Sequence, residues 1–74
     1  MVKLFTSPSC QQCNATKRAL KSADIKFEEV DMSVDENALN YVKAKGFKSA
    51  PVVITETDAW SGFRPEKISA LAIA

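Results

Sequence analysis

Hydrophobic residues in this 74-residue chain recur with two different periods, and each change of period marks a boundary between elements. Val2 to Thr6 (VKLFT) is a short strand-like run, stopped by Ser7, Pro8 and Ser9, which continue neither a helix nor a central ladder. From Cys10 to Ala23 the apolar Ala15, Ala19, Leu20 and Ala23 fall at helical spacing. Lys17, Arg18, Lys21 and Ser22 take the other faces, which predicts an amphipathic helix. Ile25 to Asp31 (IKFEEVD) mixes branched, aromatic and charged residues over the length of a strand. Ser33 followed by Glu36 fits a capping box, and Leu39, Tyr41 and Val42 carry a second helix to a C-terminal stop at Gly46. Pro51 to Thr55 (PVVIT) holds three consecutive apolar residues, the pattern of a strand covered on both faces, and belongs in the centre of a sheet. A polar turn over Glu56, Thr57 and Asp58 leads to a brief strand at Ala59 to Ser61. Pro65 then suits the first turn of a last helix ending near Ile73.

The predicted order is β-α-β-α-β-β-α. Its strand-helix-strand opening implies a right-handed parallel crossover, and its closely spaced third and fourth strands imply an antiparallel hairpin. The expected architecture is therefore α/β, a four-stranded mixed sheet flanked by three helices.

Length confines this pattern to one small domain spanning residues 1–74, because chains of this size bury only about 60% of their unfolded surface. With 46% hydrophobic and 26% charged residues the composition is that of a folding globular chain. Ten basic against nine acidic side chains leave a net charge of +1, so the overall charge offers no footprint for nucleic acid or an anionic membrane. No spanning segment or signal peptide is visible, and a cytoplasmic monomer is expected.

Cys10 and Cys13 change the picture from fold to chemistry. A bridge between them would close a tiny loop and do little as a staple, since cross-link stabilisation grows with loop length. A small secreted domain would spread more cysteines along its chain. Redox exchange and metal binding remain the chemical candidates, beside burial of both cysteines as small apolar residues. Cys10 opens a helix directly after a strand, where unpaired N–H groups and the positive end of the helix dipole favour a thiolate. In such positions the cysteine pKa falls to roughly 3.5 to 7.5. Cys13, one turn further on and nearer the core, is the natural resolving thiol. The chain has no histidine, which excludes Cys/His and Ser/His/Asp nucleophile systems and every His metal site. Zinc normally takes four ligands, so a metal reading would need a second chain or carboxylates such as Asp31.

With these motifs the sequence resembles the thioredoxin superfamily, and within it the NrdH-redoxins, over nearly all of its length. The matching segments are Cys10, Gln11, Gln12, Cys13 followed by Asn14, Ala15 and Thr16; Ala50, Pro51, Val52 and Val53; and Trp60, Ser61, Gly62, Phe63, Arg64 and Pro65. The WSGFRP block is the most specific, because it separates these redoxins from ordinary glutaredoxins. The resemblance implies a thioredoxin-like fold and a dithiol-disulfide oxidoreductase with Cys10 and Cys13 as catalytic residues. It also implies a cis Pro51, with the Ala50 backbone offered to an extended substrate tail. That tail would belong to the large subunit of class Ib ribonucleotide reductase, to which the protein would donate electrons. Thioredoxin reductase, drawing on NADPH, would recharge it, so no cofactor or metal need bind the chain. Two alternatives stand beside this: a glutathione-dependent glutaredoxin, and a metal or iron–sulfur module built on the cysteine pair.

The resemblance also sets the expected substrate- and partner-contacting residues: Gln11, Gln12, Ala50, Pro51, Trp60, Ser61, Gly62 and Phe63. Trp60 is balanced between anchoring a partner and packing the last helix on the sheet, whereas Phe63 is expected to pack. Arg64 and Pro65 are read as shaping the turn, Arg64 by pairing with a carboxylate. Lys17, four residues after Cys13, is read as a solvated lysine before a thiolate partner. Tyr41 is expected in the core with its hydroxyl wet.

Overall fold

In the computed structural model, which describes residues 2–73, the chain runs β1 (Val2–Thr6), α1 (Gln11–Ser22), β2 (Phe27–Asp31), α2 (Glu36–Ala44), β3 (Val52–Ile54), β4 (Ala59–Ser61) and α3 (Pro65–Ile73). The strands form one mixed sheet in the order β2-β1-β3-β4. β1 and β2 pair in parallel, as the crossover through α1 requires, and β3 is antiparallel to both β1 and β4. This is the thioredoxin-like arrangement expected from the sequence, with β3 inside the sheet.

Register sorts the apolar side chains into two layers. Leu4 pairs with Val53, and Val53 with Trp60, so these three point to one face. There they meet Leu20 of α1 and Ile68 of α3 in one buried cluster. One residue along, Val30, Phe5 and Val52 form the opposite row and pack with Ala38 and Val42 of α2. Val52 and Val53 are therefore both fully buried, one on each face. Burying a side chain of this size contributes about 1.5–3 kcal/mol, so the inward side chains of β1 and β3 help hold the helices on both faces.

Several local expectations are corrected. Ser33 does not cap α2: its N–H and Oγ–H both donate to Asp31 Oδ1, at 2.8 and 2.7 Å, in a local turn. Asp35 is the cap instead, accepting from the Ala38 N–H at 3.1 Å. The second strand begins at Phe27, because the Ile25 N–H closes the end of α1 by donating to Leu20 O. Tyr41 is 45% exposed: it lies at the edge of the α2 layer, its ring 5.9 Å from that of Phe5 and beneath Lys45 Nζ at 5.2 Å. Among the described residues no helix is long and apolar enough to cross a membrane.

Candidate active site

The site begins where β1 ends. Ser9 adopts a left-handed φ of 58°, turning the chain so that Cys10 becomes the N-cap of α1 with extended backbone. A cap must accept from one of the first free N–H groups of its helix, and here the acceptor is sulfur: Cys13 N–H donates to Cys10 Sγ at 3.1 Å. The two cysteines form a disulfide across a Cα–Cα distance of 5.2 Å, so the oxidised state is the one described. Their surroundings differ. Cys10 is half-buried, whereas Cys13 is only 2% exposed. Thr16, fully buried behind them, secures the first turn by donating to Gln12 O at 2.8 Å.

The other two sequence segments converge on this turn. The Ala50–Pro51 peptide bond is cis, and Pro51 is buried. Its carbonyl accepts from the Gly62 N–H at 2.8 Å, which fastens the turn after β4 to the start of β3. Gly62 has φ of 82°, and a Cβ there would lie 3.6 Å from Gln12 Oε1. Gln12, Pro51 and Gly62 are thus brought together beside the cysteines. Ala50 is half-buried, and its own N–H and carbonyl take part in no hydrogen bond among the described residues. Gln11 and Gln12 are exposed, and Ser61 is half-buried.

Of the two aromatic residues of the second turn, Trp60 takes the packing role of the two open to it, and Phe63 departs from the packing expected of it. Trp60 is 3% exposed, buried between Leu4, Leu20, Val53 and Ile68, with Lys67 Nζ over its ring at 5.6 Å. Its ring therefore offers no surface to a partner, and its Nε1–H is buried without an acceptor among the described residues. Phe63, expected to pack, is 38% exposed. Trp60 points inward from β4, whereas the left-handed Gly62 breaks the strand after Ser61 and leaves Phe63 facing solvent; that glycine is the one sequence signal of the break. Arg64 pairs with Glu66 at 2.6 Å, a carboxylate within its own turn, and Pro65 opens α3.

Lys17 is not a simple solvated lysine. Its Nζ lies 3.1 Å from Glu29 Oε2, and the same oxygen accepts from the buried Thr6 hydroxyl at 3.3 Å. This network ties α1 to the edge strand β2 one turn below Cys13, and sequence spacing alone gave no sign of it. The Asp31 carboxylate, raised above as a metal ligand, is engaged by Ser33. Among the described residues no three His, Cys, Asp or Glu side chains cluster as a metal site.

Comparison with known proteins places this geometry in company. The glutaredoxin family model matches residues 2–60. The glutaredoxin-like protein NrdH of Salmonella typhimurium is 40% identical over 70 residues, covering 95% of this chain and 86% of the relative. The NrdH protein of Lactococcus lactis subsp. lactis is 33% identical over 72 residues, covering 97% of this chain and all of the relative. The solved structure of NrdH-redoxin from Escherichia coli, described as having a thioredoxin-like activity profile, superimposes with a TM-score of 0.91 at 38% identity, covering 95% of this chain and 92% of that one.

Proposed function

Because the chain belongs to the glutaredoxin family, and within it to the NrdH glutaredoxin-like proteins, we propose that it is a dithiol electron carrier that reduces protein disulfides and is recharged by thioredoxin reductase rather than by glutathione. The observation that carries this is the asymmetry of the bonded pair: a half-buried Cys10 held by a helix N–H, and a fully buried Cys13 bonded to it.

In the reduced protein the Cys10 thiolate attacks one sulfur of a client disulfide. The client S–S bond breaks, a Cys10–client mixed disulfide forms, and one client thiolate leaves and takes up a proton. Cys13 then loses its proton and attacks Cys10 Sγ, the mixed disulfide breaks, and the second client thiolate leaves. The client gains two electrons, and the chain is left in the oxidised form. The free Ala50 backbone beside Pro51 and the exposed Phe63 ring suit an extended client tail, paired through its main chain and touched by one aromatic side chain. The cysteine-bearing tail of a class Ib ribonucleotide reductase large subunit is the client we propose, in the cytoplasm.

Two contacts and one missing donor weigh against a glutathione site. The Gly62 N–H is taken by Pro51 O, the Arg64 guanidinium by Glu66, and Pro65 opens α3 without an N–H to give. Glu66 also stands in the first turn of α3, where a glutathione carboxylate would have to bind. Coupled NADPH oxidation tests the choice of donor. Rapid turnover with thioredoxin reductase and slow turnover with glutathione plus glutathione reductase is expected; equal or faster turnover with glutathione would restore the glutaredoxin alternative.

A further inference from the structure

Although the net charge is only +1, it is unevenly distributed: α1 carries Lys17, Arg18 and Lys21 and no acidic residue. Measured from Cys10, the positions Asn14, Lys17, Arg18 and Lys21 fall at i+4, i+7, i+8 and i+11, the spacing of a single helical face. The same four residues line one shallow surface cavity of about 370 Å³. Lys17 is partly neutralised by Glu29, but neither Arg18 nor Lys21 has an ion-pair partner among the described residues, and both are exposed.

We infer that this stripe is a docking track for an acidic segment of the client polypeptide, leading to Cys10 at its head. The inference deepens the oxidoreductase reading above and rests on it. Two unpaired cations, Arg18 and Lys21, beside a partly neutralised Lys17 in one cavity are complementary to carboxylates, and like charges on a client would be repelled from the thiol. Charge of this kind raises encounter rates and is screened by salt. The helix rises about 1.5 Å per residue, so the cations lie about 10–17 Å from the cap along the axis. An extended chain advancing about 3.3 Å per residue covers that distance in about three to five residues. The client's carboxylates should therefore stand about three to five positions from its attacked cysteine.

The test uses the reduced protein and four disulfide probes. Two are peptides with three aspartates placed on either side of the attacked cysteine at that spacing, one is the asparagine version, and one is a small uncharged disulfide. At about 20 mM salt one of the acidic peptides should be reduced at least about threefold faster than the asparagine peptide, and the advantage should vanish near about 0.5 M salt. Arg18→Glu combined with Lys21→Glu should remove the advantage while leaving the melting temperature and the rate on the uncharged disulfide unchanged. Equal rates for all three peptides at low salt, or an advantage that survives in the double variant, would overturn the proposal. Binding of a single-stranded oligonucleotide by the wild type and not by the double variant, with equal peptide rates, would assign the stripe to a polyanion and overturn it as well. Failure to reduce any probe, the uncharged one included, would instead refute the oxidoreductase function, and the track would fall with it.

Discussion

Two turns meet at the site, and they are built on opposite principles. The turn from Ser7 to Cys13 places its reactive atoms through local backbone geometry: a left-handed Ser9, a cysteine at the helix cap, and a hydrogen bond from three residues away. The turn from Trp60 to Pro65 is placed by tertiary packing, with Trp60 sunk in the core and Gly62 hydrogen-bonded to Pro51. The cysteine pair thus sits in a segment whose form follows from a few neighbouring residues, and the turn proposed for client contact in one that depends on the whole sheet. Damage to the core should reach the second turn first.

The largest expected effect comes from removing the residue that anchors the second turn. Trp60→Ala should cost about 3–5 kcal/mol in urea unfolding, the usual range for deleting a buried aromatic ring. Trp60→Phe should cost far less, because it refills most of the space and eliminates the unpaired buried N–H. A loss below about 1 kcal/mol for the alanine variant would show that the second turn does not depend on the core as described.

Gly62→Ala sharpens the comparison at the point where the turns touch. Its φ of 82° disfavours any side chain, while a Cβ would only contact Gln12 Oε1 without clashing. The expected cost is about 1 kcal/mol, with slower reduction of protein disulfides than of small ones. A stability gain would contradict the left-handed conformation.

Phe63→Ala separates recognition from folding. Stability should change by less than about 0.5 kcal/mol, since the ring is exposed. Reduction of a protein client should nevertheless slow several-fold, while reduction of a small uncharged disulfide stays the same. Equal slowing on both substrates would remove Phe63 from client contact.

Acid should act most weakly, and mainly around the second turn. Lys67 holds the Asp58 carboxyl below its ordinary value of 3.8, Arg64 holds Glu66 below 4.5, and the Ser33 hydroxyl and N–H hold Asp31 below 3.8. Each folded pKa is depressed, so the stability these groups contribute is complete above the ordinary values and is lost as pH falls through and below them. All three carboxylates are solvent-exposed, which keeps each contribution small. The urea midpoint should hold steady from pH 7 to about 5.5 and drop slightly by about pH 3; a rise over that range would contradict the assignments.

The same contrast explains how far the sequence could be read. Cys10 and Cys13 were legible because a strand, a breaker and a helix start within thirteen residues leave one place for them. Element order and the inner position of β3 followed from the run Val52, Val53, Ile54. The cap of α2 was misplaced because Ser33 and Asp35 both satisfy cap chemistry, and only the competing bond to Asp31 decides between them. The opposite fates of Trp60 and Phe63 depended on register with Leu4 and Val53, a long-range pairing that local propensity does not encode. The Lys17–Glu29–Thr6 network was hidden for the same reason, since its members come from α1, β2 and β1.

The central claim is that a half-buried, cap-held Cys10 attacks and a fully buried Cys13 resolves. Incubating each single Cys→Ser variant with a disulfide-bearing client, followed by non-reducing mass analysis, tests it most directly. Cys13→Ser should accumulate a stable mixed disulfide through Cys10, while Cys10→Ser should trap none and reduce nothing. Trapping by Cys10→Ser in preference to Cys13→Ser would contradict the account.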